Sequence, residues 1–75
     1  KLTLHPLNDQ GVRVLSSQGE CVGHLKLIGA VWKFKAIGYD ADGAVIPGGG
    51  PLTERHNTRF AVLDEAVVSA ALTGF

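Results

Sequence analysis

Between residues 11 and 39 the chain alternates apolar and polar side chains with a period of two, three times over. GVRVLS (11–16), ECVGHLKLI (20–28) and AVWKFKAIGY (30–39) each read as a strand with one face turned toward a core. Ser17-Gln18-Gly19 separates the first run from the second, and Gly29-Ala30 the second from the third. Asp40-Ala41-Asp42-Gly43 then supplies tight-turn chemistry, an Asp side-chain acceptor and a Gly tolerant of positive φ, so AVI (44–46) follows as a short fourth strand. Before these runs, Leu2 and Leu4 alternate ahead of His5-Pro6, and the proline predicts either a short edge strand or an ordered arm over residues 1–10.

After the fourth strand the pattern changes. PGGGP (47–51) opens a loop that runs to residue 57, and residues 58–75 form a helical C-terminal segment. Asp64 and Glu65 suit the first turn of a helix, and Gly74 suits its stop. The helix starts either near Asn57, acting as a cap, or near Val62 with residues 58–61 extended.

The turns can be tested against one another. A two-residue loop at Gly29-Ala30 sets Leu27 opposite Trp32, Leu25 opposite Phe34 and Gly23 opposite Ala36. A loop at Ser17-Gln18 sets Val14 opposite Cys21 and Val12 opposite Gly23. Because strand side chains alternate, Val12, Val14, Cys21, Leu25, Leu27, Trp32 and Phe34 then share one face. Arg13, His24, Lys26, Lys33 and Lys35 share the other. The helix covers the apolar face with Phe60, Leu63, Val67 and Ala70. The expected fold is therefore α+β: an antiparallel meander of three to four strands packed on one face by a C-terminal helix, forming a single domain over residues 1–75.

Composition narrows the functional classes. Seven Lys and Arg balance seven Asp and Glu, so only a local patch, not a bulk field, can attract nucleic acid. A single cysteine excludes an internal disulfide framework and points toward a reducing, cytoplasmic setting. No apolar run approaches the ~18 residues of a membrane span, so no membrane partner is expected. The chain begins at Lys1 without any methionine, which suggests a trimmed start or a piece of a longer protein.

The outward basic set is the first candidate site. Lys26 and Lys33 face each other, as do His24 and Lys35, and like charges across a strand pair are unfavourable by some part of ~0.2–1 kcal/mol. A bound anion relieves that repulsion; solubility of an exposed sheet face is the competing explanation. The layout of an antiparallel sheet with one C-terminal helix, over residues 11–73, resembles the plant AP2-type domain and the amino-terminal domains of phage and transposon integrases. That resemblance implies DNA against the sheet face opposite the helix, here Arg13, Lys26, Lys33 and Lys35.

The glycine-rich loop is the second candidate. Gly48, Gly49 and Gly50 can bring backbone N–H groups toward an anion, and His56, Asn57 and Arg59 are polar neighbours able to contact a ligand. No Lys-Ser or Lys-Thr pair follows the glycines, so a nucleotide P-loop is excluded. A flexible connection between sheet and helix is the competing explanation.

The third candidate is a partner surface on the helix. Val68 and Leu72 fall between the polar positions of the helical wheel and Phe75 follows, forming an apolar strip suited to a homodimer or another protein. Burial under Leu2, Leu4 and Leu7 competes with that reading.

Catalytic and metal chemistry find no footing. Cys21 and His24, three apart on a strand, point to opposite faces. His5, His24 and His56 lack metal-ligand spacing. DADG at 40–43 begins like a calcium loop, but Ala44, Val45 and Pro51 occupy its fifth, sixth and twelfth positions. The expected function is a non-catalytic binding module without metal or cofactor. It is expected to associate with itself through the helix or, alternatively, to bind nucleic acid or another polyanion through the sheet.

Overall fold

The computed structural model describes residues 2–73. Its strands are β1 (Thr3–Asn8), β2 (Gly11–Leu15), β3 (Cys21–Ile28), β4 (Val31–Tyr39), β5 (Val45–Pro47) and β6 (Arg59–Phe60). A single 3-10 turn (Thr53–Arg55) lies between β5 and β6, and one helix, α1 (Glu65–Thr73), follows β6. Strands β1 to β5 form an antiparallel meander in chain order, and β6 adds to β4. The architecture is α+β, with a wider sheet than three or four strands. The N-terminal residues supply the additional edge strand, β1. Pro6 is accommodated there because it lies on an edge and beside a bulge between Pro6 and Asn8.

The β3–β4 hairpin has the register its two-residue loop dictates: Leu27 opposite Trp32, Leu25 opposite Phe34, and Gly23 opposite Ala36. Gly29 occupies the first loop position with φ 63°. The β2–β3 register is displaced by two residues from the one expected. Val12 pairs with Leu25 and Val14 with Gly23, and a bulge then sets Leu15 opposite Cys21. The cause is the turn at Ser16–Glu20. The Ser16 Oγ accepts the N–H groups of Gln18 and Glu20, both at 3.2 Å, and Gly19 adopts φ 85°. The turn is therefore longer than two residues. A shift of two preserves the faces of Val12, Arg13 and Val14, but the bulge past Val14 seats Val22 in the core and leaves Cys21, expected inside, opposite Leu15 and only half-buried.

The core gathers Val12, Val14, Val22, Leu25, Phe34, Ala36 and Phe60 from the sheet with Leu2, Leu52, Val68 and Leu72. The buried face of this segment differs from the wheel reading, and Ala70, expected against the core, is exposed. Val68 and Leu72 are fully buried, whereas Val67 is 51% exposed and Leu63 38% exposed. The apolar strip of Val68 and Leu72 is thus core and offers no partner surface; Phe75 and Gly74 lie outside the described residues. The helix begins at Glu65, later than either expected start, because residues 59–60 extend as β6 and Asp64 caps the helix by accepting the Val67 N–H at 3.1 Å.

The face of α1 is set by β1. The Ser69 Oγ accepts the Leu2 N–H at 2.9 Å, and the Glu65 Oε2 accepts the Leu4 N–H at 3.0 Å. These bonds pull the stripe Val68–Ser69–Leu72 onto the sheet, where full burial of each Leu or Val is worth about 1.5–3 kcal/mol. The Leu4 bond also occupies an edge donor of β1, and Pro6 has none to offer, so this edge is poorly suited to adding a foreign strand.

Candidate polyanion-binding face

The antiparallel registers place the outward side chains in two rows that run across the strands. His5 lies opposite Arg13, Arg13 opposite His24, and His24 opposite Lys35, which makes one row over β1, β2, β3 and β4. Lys26 lies opposite Lys33 and Lys33 opposite Arg59, which makes a second row over β3, β4 and β6. With strands about 4.8 Å apart and two residues rising about 6.7 Å, the first row spans about 14 Å and the second lies about 7 Å beyond it. The face carries five of the chain's seven Lys and Arg residues. Among the described residues no strand of the sheet contains an Asp or Glu. Net neutrality conceals a segregated charge distribution.

The field at this face shows in His24. Its pKa is lowered from the ordinary histidine value, first by partial burial, then by the Arg13 and Lys26 charges. The imidazole is therefore neutral at pH 7, and charge at the centre of the first row comes from its flanking Arg13 and Lys35. Lys35 is positioned from its far side, donating from Nζ to the Asn57 Oδ1 at 2.8 Å. Two hollows indent the second row near the β3–β4 hairpin. One, of about 330 Å³, is bounded by Leu7, Gln10, His24, Lys26 and Ile28. The other, of about 250 Å³, is bounded by Ile28, Val31, Lys33 and Arg59.

The glycine-rich loop is a different object. Strand β4 has β6 against the first half of its outer edge and β5 against the second, leaving a gap at Phe34–Ala36. The loop fills that gap. Phe34 donates to the Thr58 carbonyl at 2.8 Å and accepts from the Asn57 N–H at 2.7 Å. The His56 Nδ1 accepts the Ala36 N–H at 3.0 Å, and the Ala36 carbonyl accepts the Gly48 N–H at 2.7 Å. An imidazole thus stands where a strand carbonyl would be. The Gly49 N–H donates to the Ile46 carbonyl at 3.1 Å, and the Thr53 hydroxyl to the Gly48 carbonyl at 2.6 Å.

Close packing explains the glycines. A Cβ on Gly38 would sit 2.5 Å from the Gly50 nitrogen, and one on Gly50, at φ 84°, would collide with the Ile37 carbonyl. The N–H groups of Gly48 and Gly49 are engaged within the fold, and the third glycine is pressed onto β4. The Gly48 and Gly49 N–H groups are thus spent inside the fold instead of being turned toward an anion. His56 and Asn57 serve the β4 edge and hold Lys35; Asn57 itself has φ 72°. Arg59 alone leaves the loop set, joining the basic face beside Lys33.

Sequence reasoning placed Arg13, His24, Lys26, Lys33 and Lys35 together, and the structure brings them together. His5 joins them although its proline neighbour obscures the strand in the sequence, and Arg59, expected among the loop contacts, joins them because its two-residue strand pairs with β4. Cys21 is half-buried, its thiol 3.5 Å from the Gly23 carbonyl. Among the described residues no three His, Cys, Asp or Glu side chains cluster as metal ligands, and no helix is long and apolar enough to cross a membrane. No protein-family profile, curated protein or solved structure matches the chain. The layout remains that of a small α+β domain with a cationic sheet face.

Proposed function

We propose that this domain binds nucleic acid through the outer face of its sheet, with Arg13, Lys26, Lys33, Lys35 and Arg59 contacting phosphates and His5 and His24 lying among them. The observation that supports this reading is the pair of cross-strand cationic rows on a surface whose strands contain no carboxylate. The charges are spread over about 14 by 7 Å rather than converging on a point, which suits an extended polyanion better than a single small anion. Repulsion between Lys26 and Lys33, and between Lys33 and Arg59, is relieved when phosphates approach.

The mode of binding follows from what the face lacks. Trp32 and Phe60, paired across β4 and β6, lie on the core side, and Phe34 is fully buried. Tyr39 is exposed but sits four residues beyond Lys35 on β4, about 13 Å away. Recognition is accordingly electrostatic, with weak sequence preference and no stacking platform for successive bases.

The test is fluorescence anisotropy with labelled oligonucleotides over a salt series. Neutralising four or five phosphates predicts a log–log slope of about −4 for a duplex. No binding at low salt, where the electrostatic term is greatest, overturns the reading.

A further inference from the structure

The fold sorts acidic residues as firmly as basic ones. Asp9, Glu20, Asp40, Asp42 and Glu54 lie in turns between strands, while Asp64 and Glu65 stand at the start of α1. Around these last two the surface is apolar: Val62 is 63% exposed, Val67 51% and Leu63 38%. The segment 62–67 therefore presents three apolar side chains with two carboxylates among them. Asp64 and Glu65 each accept a backbone N–H, but both remain exposed, so their charge faces solvent.

At the β3–β4 hairpin the basic face carries the complementary combination. Ile28, 54% exposed, separates the two hollows, with Leu7 and Val31 beside it and Lys26, Lys33 and Arg59 around it. One surface is apolar and acidic, the other apolar and basic, and within a single chain both remain open to solvent. We propose that the segment 62–67 of one copy docks on the Ile28 hollows of a second copy. Val62 and Val67 lie against Ile28, while Asp64 and Glu65 approach Lys33 and Arg59.

Charge complementarity selects this occupant. A neutral apolar partner would leave Lys26, Lys33 and Arg59 unpaired at the contact, and a basic partner would be repelled. The surface offered by six residues is small beside the ~800 Å² per partner of a stable interface, so the association is weak and salt-sensitive. It uses residues different from Val68 and Leu72, which the core occupies. Nucleic acid held at Lys33 and Arg59 would compete for the same ground, but the docking stands independently of nucleic-acid binding.

Sedimentation velocity tests the proposal directly. The parent chain, free of nucleic acid and at high concentration, is expected to exceed monomer mass at low ionic strength and to return to monomer at about 1 M salt, where the Debye length is about 3 Å. Two surface substitutions divide the contact: Lys33→Glu disables the basic side and Val67→Lys the acidic side. Each variant alone is expected to be monomeric, whereas their equimolar mixture associates again, since one intact acidic segment meets one intact basic hollow. Circular dichroism and thermal melts matching the parent exclude unfolding as the reason. A monomeric parent at low salt, variants that associate like the parent, or a mixture that stays monomeric would each overturn the proposal.

Discussion

The outer face of the sheet and the outer edge of β4 are both rich in polar groups, yet they use them in opposite ways. Along the β4 edge the polar groups are turned inward to complete the fold: His56 replaces a strand acceptor, Gly48 and Gly49 donate to backbone carbonyls, and Asn57 holds Lys35. On the sheet face Lys33 is set opposite Lys26 on one side and Arg59 on the other, where the mutual interaction is unfavourable. The comparison separates polar groups that close the edge of the sheet from basic side chains gathered on its outer face. A glycine-rich loop with histidine and asparagine looks more like a ligand site in the sequence, but Gly48, Gly49, His56 and Asn57 make bonds within the fold.

The largest expected effect tests the edge. Gly50→Ala forces a side chain into the Ile37 carbonyl at a positive φ, and the loss of stability should reach about 3 kcal/mol or more by denaturant unfolding. A variant that folds with parental stability would mean that the loop does not press on β4. Next in size is the face. Lys33→Glu with Arg59→Glu should weaken oligonucleotide binding about 100-fold at low salt and flatten the salt slope. Its unfolding free energy should stay within roughly 0.5 kcal/mol of the parent. Unchanged affinity would remove these residues from the contact.

A smaller effect belongs to His56→Ala, which strands the Ala36 N–H in a part-buried position at a cost of about 1–3 kcal/mol. Under conditions where the variant is folded, its affinity for oligonucleotides should equal the parent's. Loss of binding without loss of stability would return His56 to the ligand set.

The smallest effect concerns His24. Its folded pKa lies below its unfolded value, so the unfolded chain binds more protons as pH falls through that interval. Stability should therefore decline as pH drops below about 6.5 and level off below the folded pKa. Solvent screens a ring that is only partly buried, so the decline should stay under about 1 kcal/mol. Phosphates beside the ring reverse the bias: the His24 pKa should rise on binding, and affinity should increase as pH falls. An NMR titration of the ring protons with and without oligonucleotide measures both, and a His24 pKa that does not move on binding would place the phosphates elsewhere.

Much of the sheet was legible because its signal is local and redundant. Gly29 fixes one hairpin, period-two alternation fixes the faces, and the two agree on where Lys26 and Lys33 point. The β2–β3 register was misjudged because Ser16 builds a longer turn through its own side chain, which residue spacing does not reveal. The even shift left the site intact. Val68 and Leu72 were misassigned for a different reason. A nine-residue helix with small or apolar residues on several sides has no single obvious stripe, and its buried face is chosen by long-range bonds from Leu2 and Leu4. Arg59 could be placed only once β6 was known to pair with β4, again a contact between residues distant in sequence.

The most direct test of the contrast between face and edge is a heteronuclear NMR titration with a short oligonucleotide duplex at low salt. Shifts concentrated at Arg13, His24, Lys26, Lys33, Lys35 and Arg59, with residues 48–56 unmoved, are the predicted result. Shifts concentrated at Gly48, Gly49, Gly50 and His56, or no shifts at all, would contradict it.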